Sequence, residues 1–517
     1  MEIVSNTAVR LRTRNIDRFS IIPKHVATPI PGGHEVTVFW GLDEMRVLKN
    51  MGFKVPSPIE RKYNWPGRYV PMEHQKTTAG FLTLHRRAFV FNDPGTAKTI
   101  AALWAADYLM KRKEIRRVLV VCPLSIMHSA WMGDISNSII HRSAIVAHHA
   151  QASRRIEMIQ GDYEFVIINY DGLNLVADEI KADGRFDLVI VDEANSYSVP
   201  TTRRWKSLAK ILTPNTFLWM MTGTPAAQSP VNAYGLAKLV NPGGVPNYLT
   251  AWRDRVMLKI STFKWIPKPE SRDLVFNALQ PAIRFTKEQC LDLPPVLKTT
   301  REVPMTAQQA KYYRKIKDDM LVIAAGQTIS AVNKAAVVNK LLQVSCGGVY
   351  SEDGDVVQFD ATPRMNLLLE ILEETSRKVI IFAMFRSSID LIHEFLNKHS
   401  HATEIIDGRV PATRRADIIS RFQFKESPRV LVMQPQASAH GITLTAADTV
   451  VFFGPLMSVE LYTQAIARAD RKGQAAEKVT VIHIQSSPIE KKMFDAMDRR
   501  VEDHALLTQM FDAEMEV

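Results

Sequence analysis

The sequence predicts an α/β protein of two parallel-sheet lobes covered by helices, with helical insertions and a small accessory domain at the N-terminus. Three observations carry this. From about residue 87, short near-continuous apolar runs alternate with longer amphipathic stretches, the pattern of strands buried on both faces and joined by helical crossovers. The alternation stops between about 241 and 345, where the chain turns polar and helix-prone, and then resumes. Hydrophobic residues make up 46% and charged residues 23% of the 517, a globular composition that excludes disordered, collagen-like and coiled-coil classes.

Taken in order, residues 1–70 carry Thr37-Val38-Phe39-Trp40, then Asp43 ahead of a helical stretch, then Tyr63-Asn64-Trp65-Pro66-Gly67 as a turn, and read as the accessory domain. Residues 71–240 form the first lobe. Its candidate strands are Ala88–Phe91, Val118–Val121, Phe165–Ile168, Leu188–Val191 and Phe217–Met221. Asn241-Pro242-Gly243-Gly244 then breaks the chain, and 241–345 reads as an inserted helical region that includes Gln308–Lys315. Residues 346–517 form the second lobe, with strands Val379–Phe382, Val430–Met433, Val450–Phe453 and Val479–Ile482 and a C-terminal helix. The absence of short repeats and low-complexity tracts argues against a solenoid.

Lys and Arg number 65 against 54 Asp and Glu, a net +11 that favours a polyanionic partner. Cys122, Cys290 and Cys346 lie too far apart for a disulfide framework or a CxxC metal site, which points to a reducing compartment. The first residues lack the basic-then-apolar signal pattern, and no apolar run reaches the roughly 18 residues of a membrane span. A cytoplasmic protein without membrane association is expected.

Chemistry concentrates at two places in the first lobe. After the strand ending at Phe91 come Asn92-Asp93-Pro94-Gly95-Thr96-Ala97-Lys98-Thr99 and a helical stretch from Ile100, the layout of a phosphate-binding loop. Such a loop turns backbone N–H groups toward phosphates at a helix N-terminus, with Lys98 reaching the β/γ oxygens and the Thr99 hydroxyl on Mg2+. Asn92 and Ala97 stand where the motif has glycine; a Cβ at 97 is tolerated at negative φ and otherwise crowds the nucleotide. The second place is Asp192-Glu193, two carboxylates at the carboxyl end of a buried strand, where an α/β sheet puts its ligand crevice. Asp192 can hold Mg2+ through water and Glu193 can orient and deprotonate an attacking water. The plainer reading, that Asp192 caps the next helix, accounts for one acid and not both.

With these residues the chain resembles the core of helicase superfamily two, in its SWI/SNF-type branch of DNA-dependent ATPases and translocases, over roughly 70–500 in motif order. Gln75 resembles the glutamine that reads adenine, Asn92–Thr99 motif I, Val120–Ser125 motif Ia, and Asp192-Glu193-Ala194-Asn195 the DEAH box. Met221-Thr222-Gly223-Thr224-Pro225 resembles motif III, and Leu239–Pro242 also follows the branch. In the second lobe Lys378–Phe382 resembles motif IV, Ile406–Arg409 the DG segment after it, and His440–Asp448 motif V. Gln464–Gln474 is similar to motif VI with an RxGQ-type ending.

The resemblance implies two RecA-like lobes and an active ATPase using ATP and Mg2+. Asp93 to Thr99 with Gln75 would bind nucleotide, Thr99 and Asp192 the metal, and Gln464, Arg468 and Arg471 would join Lys98, Asp192 and Glu193 in hydrolysis. Arg468 and Arg471, three apart on one helix face, would serve as arginine fingers. Asn195, Thr222, Gly223 and Thr224 would couple hydrolysis to movement. Ser125, Thr413, Gly441 and Thr443 would touch DNA phosphates, with duplex favoured and little sequence specificity. Departures are Ala97, Asn195 in place of the DEAH His, and Asp470 in place of the usual motif VI His. With no long insertion or chromatin-reader module after the motor, a compact protein of a bacterial or phage-infected cytosol is expected. The function expected is an ATP-dependent DNA translocase in replication, recombination, repair or protein displacement. The alternatives are a strand-separating or annealing helicase and, from another class, a DNA-binding scaffold with impaired catalysis.

Overall fold

The computed structural model describes residues 2–223, 225, 229–261, 265–290, 296–326, 331–350, 355–438, 442–471 and 474–499. The chain divides into two compact units, Met1–Cys290 and Leu291–Val517.

The first unit is built on a seven-stranded parallel sheet in the order Ala282–Ile283, Arg87–Val90, Phe217–Met221, Leu188–Asp192, Val118–Cys122, Phe165–Asn169, Ala144–Val146. The apolar runs expected from sequence are its five inner strands, and three of these are buried at every position. Register sets Met221 opposite both Val90 and Asp192, so the carboxyl ends of three adjacent strands finish level. The helix Lys98–Lys111 covers one face and is buried from Ile100 through Met110. The strand Ala282–Ile283 was not expected, because two residues at a sheet edge leave no periodic signal.

Residues 2–39 form a four-stranded antiparallel sheet in the order Glu2–Val4, Ala8–Thr13, Gly33–Phe39, His25–Ile30. Its apolar face, Val9, Leu11, Val36 and Val38, shares one core with Leu82, Trp104 and Val120. The N-terminal region expected as an accessory domain is therefore continuous with the first lobe, since a small sheet with one apolar face needs a partner to bury it. Asp43 lies inside the first turn of the helix Leu42–Asn50 and not ahead of it; Gly41 precedes that helix. The Tyr63–Gly67 segment crosses the helix Lys98–Lys111: Trp65 stands edge-on to Trp104 at 5.3 Å, and the Trp104 indole donates to the Pro66 carbonyl at 3.0 Å.

The 241–345 stretch, expected as one insertion, is split between the units. Helices Leu249–Val256 and Ser271–Ala278 and the edge strand Ala282–Ile283 belong to the first. The strand Val296–Glu302 and the helices Ala307–Gly326 and Ala331–Ser345 belong to the second. Strand pairing decides the split: Ala282–Ile283 extends the first sheet beside Arg87–Val90, while Val296–Glu302 pairs along all seven residues with Val479–Gln485.

The second unit carries a six-stranded parallel sheet in the order Val296–Glu302, Val479–Gln485, Ala447–Phe452, Lys378–Phe382, Val430–Met433, Thr403–Ile406. The four expected runs are its interior. The added edges, VLKTTRE and TEII, are too polar or too short to announce themselves. A buried ion pair ties this unit together: the Arg364 guanidinium, 2% exposed, donates to Glu490 at 2.7 Å and to the Phe453 carbonyl at 2.7 Å. Glu490 also accepts from the backbone N–H of Ser486 at 2.7 Å and of Ser487 at 3.1 Å. The two charges thus satisfy each other in the core, and removing one strands the other. Glu490→Ala should cost about 3–5 kcal/mol in urea denaturation, with much of it recovered in Arg364→Met/Glu490→Leu; a loss below about 1 kcal/mol would contradict this account.

Candidate functional site

The polar residues of the first unit gather where its parallel strands end. Asn92, at the first glycine position of the loop, is 1% exposed. Its amide donates to the Thr78 hydroxyl at 3.0 Å and its oxygen accepts from the Phe285 N–H at 3.1 Å. It therefore pins the loop to the helix Glu73–Leu84 and to the chain after the edge strand. Asp93 accepts at its backbone carbonyl from the Thr96 hydroxyl, 2.8 Å, and at its carboxylate from the Lys287 N–H, 3.3 Å.

Gly95 at φ +90° and Ala97 at φ +56°, ψ +43° give the loop its concavity. Of the two cases the sequence left open at 97, negative φ is not the one adopted. To enter the helix Lys98–Lys111 with its N–H groups turned inward, the chain must pass through the left-handed region here, and Ala97 bears a strain of about 1–2 kcal/mol that glycine would escape. Two side chains support the loop from below. His74 Nε2 lies 2.9 Å from the Thr96 carbonyl, and the Gln75 amide donates to the Ala97 carbonyl at 3.3 Å while its oxygen accepts from the Met72 N–H at 3.0 Å. Gln75, expected to read adenine, thus has both polar atoms engaged by backbone. The Lys98 ammonium is 3.5 Å from the Asn92 carbonyl, curled over the concavity, and Thr99 sits half-buried in the first helical turn.

Asp192 closes the strand Leu188–Asp192 and is buried. One carboxylate oxygen accepts from the Trp131 indole N–H at 3.1 Å, the other from the Glu193 N–H at 3.0 Å. Burial, and then the neighbouring Glu193 carboxylate, push the Asp192 carboxyl up to about 6, against the opposing Lys98 ammonium and the two hydrogen bonds. A buried carboxylate under that pressure is suited to a cation, and with the Thr99 hydroxyl it supplies oxygen donors of the kind Mg2+ takes. The residues present fit both a polyphosphate and its metal. Glu193 adopts φ +49°, ψ +55°, a second left-handed residue that turns the chain sharply out of the strand into the short helical turn Ala194–Tyr197 carrying Asn195. The buried Tyr170 hydroxyl donates to the Asp192 carbonyl at 2.7 Å and holds that turn.

Next to Asp192, the strand Phe217–Met221 runs into Thr222, whose N–H donates to the Val90 carbonyl at 3.0 Å, and Gly223. A Cβ on Gly223 would stand 2.7 Å from Pro94, so this segment rests directly on the phosphate loop. Thr224 lies outside the described residues. Ser125 is exposed in the turn Leu124–Ile126, beyond the strand Val118–Cys122.

In the second unit, Arg468 and Arg471 do not share a helix face. The helix Val459–Ile466 ends before them, and both occupy the turn that follows, which Gln474 holds by donating to the carbonyls of Ala447, 2.8 Å, and Ala469, 3.0 Å. Arg468 is buried, with its N–H groups toward the Ile442 carbonyl at 3.4 Å. Gln464 is buried on the helix itself, and its amide donates to Glu460 at 3.3 Å. Thr413 is exposed in the first turn of the helix Ala412–Phe424, and Thr443 is exposed in the segment before Ala447–Phe452. Gly441 lies outside the described residues. The DG segment is organised by Arg409, which donates to the buried Asp407 at 2.8 Å and pairs with Asp390 at 2.6 Å.

Trp131, Tyr170 and His74 are the supports that sequence reasoning missed. Each acts through a contact across 22 to 61 residues, and no spacing rule connects such pairs.

A family model described as the SNF2-related domain matches residues 41–345, and the helicase conserved C-terminal domain matches 363–473. Among curated relatives, an uncharacterised ATP-dependent helicase of Mycoplasma genitalium is 25% identical over 422 residues, covering 80% of this chain and 39% of that protein. The Drosophila melanogaster SWI/SNF-related matrix-associated actin-dependent regulator of chromatin subfamily A-like protein 1 is 24% identical over 391 residues, covering 75% of this chain and 49% of that protein. The chain thus spans less than half the length of either relative. Among solved structures, the Sulfolobus solfataricus SWI2/SNF2 ATPase core in complex with dsDNA aligns at 19% identity and a TM-score of 0.42, covering 88% of this chain and 96% of that one.

Two substitutions test the loop. Ala97→Gly should relieve the left-handed strain and raise stability by about 1 kcal/mol in thermal unfolding. Gly223→Ala should drive its methyl into Pro94 and lower stability by about 1–3 kcal/mol. Ala97→Gly proving destabilising would refute the backbone assignment at 97.

Proposed function

We propose that this chain, which belongs to the SNF2-related family, is an ATP-driven motor that couples hydrolysis to movement on double-stranded DNA. The observation that carries the proposal is the Asp192-Glu193 pair at the end of a buried strand, beside a loop whose left-handed Gly95 and Ala97 cup the space under Lys98. Within that reading each residue has a task. Backbone N–H groups of the loop bind the phosphates, Lys98 meets the β/γ oxygens, and Thr99 and Asp192 hold Mg2+. The metal, when bound, offsets charge on the phosphate oxygens. Glu193 orients the attacking water and takes its proton. Gln464, Arg468 and Arg471 of the second unit are the residues we assign to hydrolysis from that unit, the arginines for the positive charge that developing negative charge on the γ-phosphoryl oxygens requires.

Thr222 and Gly223, the latter resting on Pro94, connect the loop to the rest of the cycle, with Asn195 and Thr224 as their proposed partners. The polymer is met by exposed hydroxyls, Ser125 in the first unit and Thr413 and Thr443 in the second, together with Gly441. A net +11 suits a phosphate backbone, and contacts of this kind carry little sequence information. Duplex is preferred over single strands because the motif VI ending and the Leu239–Pro242 segment resemble the translocating branch.

The test is steady-state ATP hydrolysis without polymer and with single-stranded DNA, duplex DNA and RNA. Duplex should stimulate turnover most, and Lys98→Ala and Glu193→Gln should each lower it by roughly 100-fold or more. No turnover with any polymer, despite measurable DNA binding, would replace the motor with a DNA-binding scaffold.

A further inference from the structure

Among the described residues six tryptophans have a hydrogen-bonded indole N–H, and five of them donate to a backbone carbonyl: Trp40 to Pro56, Trp104 to Pro66, Trp205 to Gly235, Trp219 to His85 and Trp252 to Pro230. That is how a buried indole ordinarily satisfies its one donor. Trp131 differs. It is fully buried, yet its N–H goes to a carboxylate oxygen of Asp192, 61 residues away on another strand.

The backbone that delivers it is also unusual. The strand Val118–Cys122 ends in the turn Leu124–Ile126, and the chain then widens into a π-type helical stretch, Met127–Met132, before tightening into the α-helix Gly133–Ser138. A π turn carries an extra residue relative to an α turn. It costs stability and so is kept mostly where a side chain has to be aimed. Here it begins two residues after the exposed Ser125 and carries the buried Trp131 within it, the two residues being six apart on one short connection. Relaxing it to α geometry would rotate everything after it by about a third of a turn and would withdraw the indole from Asp192. The other Asp192 oxygen is held by the Glu193 N–H, a bond internal to its own turn. Trp131 is thus the donor through which a separate element of the unit fixes the orientation of this carboxylate.

We propose that Trp131 is a positioning residue that holds Asp192 in metal-binding orientation and transmits engagement of the Leu124–Ile126 turn by nucleic acid to that carboxylate. The proposal rests on the motor reading above. Docking of a phosphate backbone at Ser125 would set the π turn, the π turn sets the indole, and the indole sets Asp192. Without the N–H, Asp192 would keep its place in the strand but lose the bond that selects its rotamer.

The experiment compares the 517-residue chain with its Trp131→Phe variant, which keeps an aromatic ring and removes the donor. Mn2+ binding in the presence of ADP, read by electron paramagnetic resonance of the free ion, should weaken about tenfold, the usual scale for losing a partner that orients a metal ligand. The Mg2+ concentration giving half-maximal turnover should rise by a similar factor, while KM for ATP at saturating Mg2+ stays within about twofold and stimulation by duplex DNA falls to about a third or less. A merely structural tryptophan would not separate metal requirement from ATP affinity. Unchanged Mn2+ affinity, or unchanged stimulation by DNA, in a variant that melts within a few degrees of the parent overturns the proposal. Should Trp131→Phe melt early, replacement of Trp131 by 3-benzothienylalanine, which puts sulfur in place of the N–H at nearly constant shape, decides by the same readouts. If the parent protein fails to hydrolyse ATP at all, the motor reading fails by itself, and the Mn2+ measurement still tests the bond between Trp131 and Asp192.

Discussion

Holding a carboxylate out of water at the end of a central parallel strand is the constraint around which the first unit is arranged. Asp192 has strands on both sides and a covering helix layer, so its charge is supported only by the groups that the structure brings to it. Those are the Trp131 indole, the Glu193 N–H and the Lys98 ammonium, arriving from three different elements. A parallel sheet buried on both faces leaves its polar groups no other exit than the strand ends, and level register collects the ends of Arg87–Val90, Leu188–Asp192 and Phe217–Met221 in one place. Burial that is costly for an isolated acid becomes useful once a cation and phosphates share the space.

Two strained residues stand in the same place. Ala97 and Glu193 both hold left-handed backbone, and both stand where the chain must leave a strand sharply and present groups to a ligand. The surrounding structure enforces these conformations. Asn92 locks the start of the loop, His74 and Gln75 support its end, Pro94 abuts Gly223, and the Tyr170 hydroxyl fixes the backbone of the acidic pair. The N-terminal region contributes indirectly: its Tyr63–Gly67 segment packs Trp65 and Pro66 onto the helix that begins at Lys98, so that helix is braced from outside the motor sheet as well as from within it.

How much was legible follows from what each signal depends on. Inner strands such as Val118–Cys122 and Val430–Met433 are apolar on both faces, and a strand of that kind reads directly from composition. Edge strands such as Val296–Glu302 are exposed along most of their length and carry no such run, which is why the 241–345 region read as one insertion although pairing divides it. The loop and the acidic pair were readable because phosphate and metal chemistry demand particular residues at fixed local spacing, as in Lys98-Thr99 and Asp192-Glu193. Arg468 and Arg471 were placed on a helix by their spacing, but the helix ends at Ile466 because Gln474 and the segment before Ala447 fold the next residues into a turn.

The sequence by itself determined the two α/β lobes, the identity of the inner strands, the phosphate loop, the paired carboxylates and the resemblance that orders the remaining motifs, because each of these is written in neighbouring residues. The tertiary structure decided the sign of φ at Ala97, the continuity of the N-terminal sheet with the first unit, the assignment of 241–290 and 296–345 to different units, and the partners of Asp192. The reason is range. Local patterning fixes what a segment becomes, whereas a contact such as Trp131 to Asp192 depends on how several segments pack, and packing is a property of the whole unit.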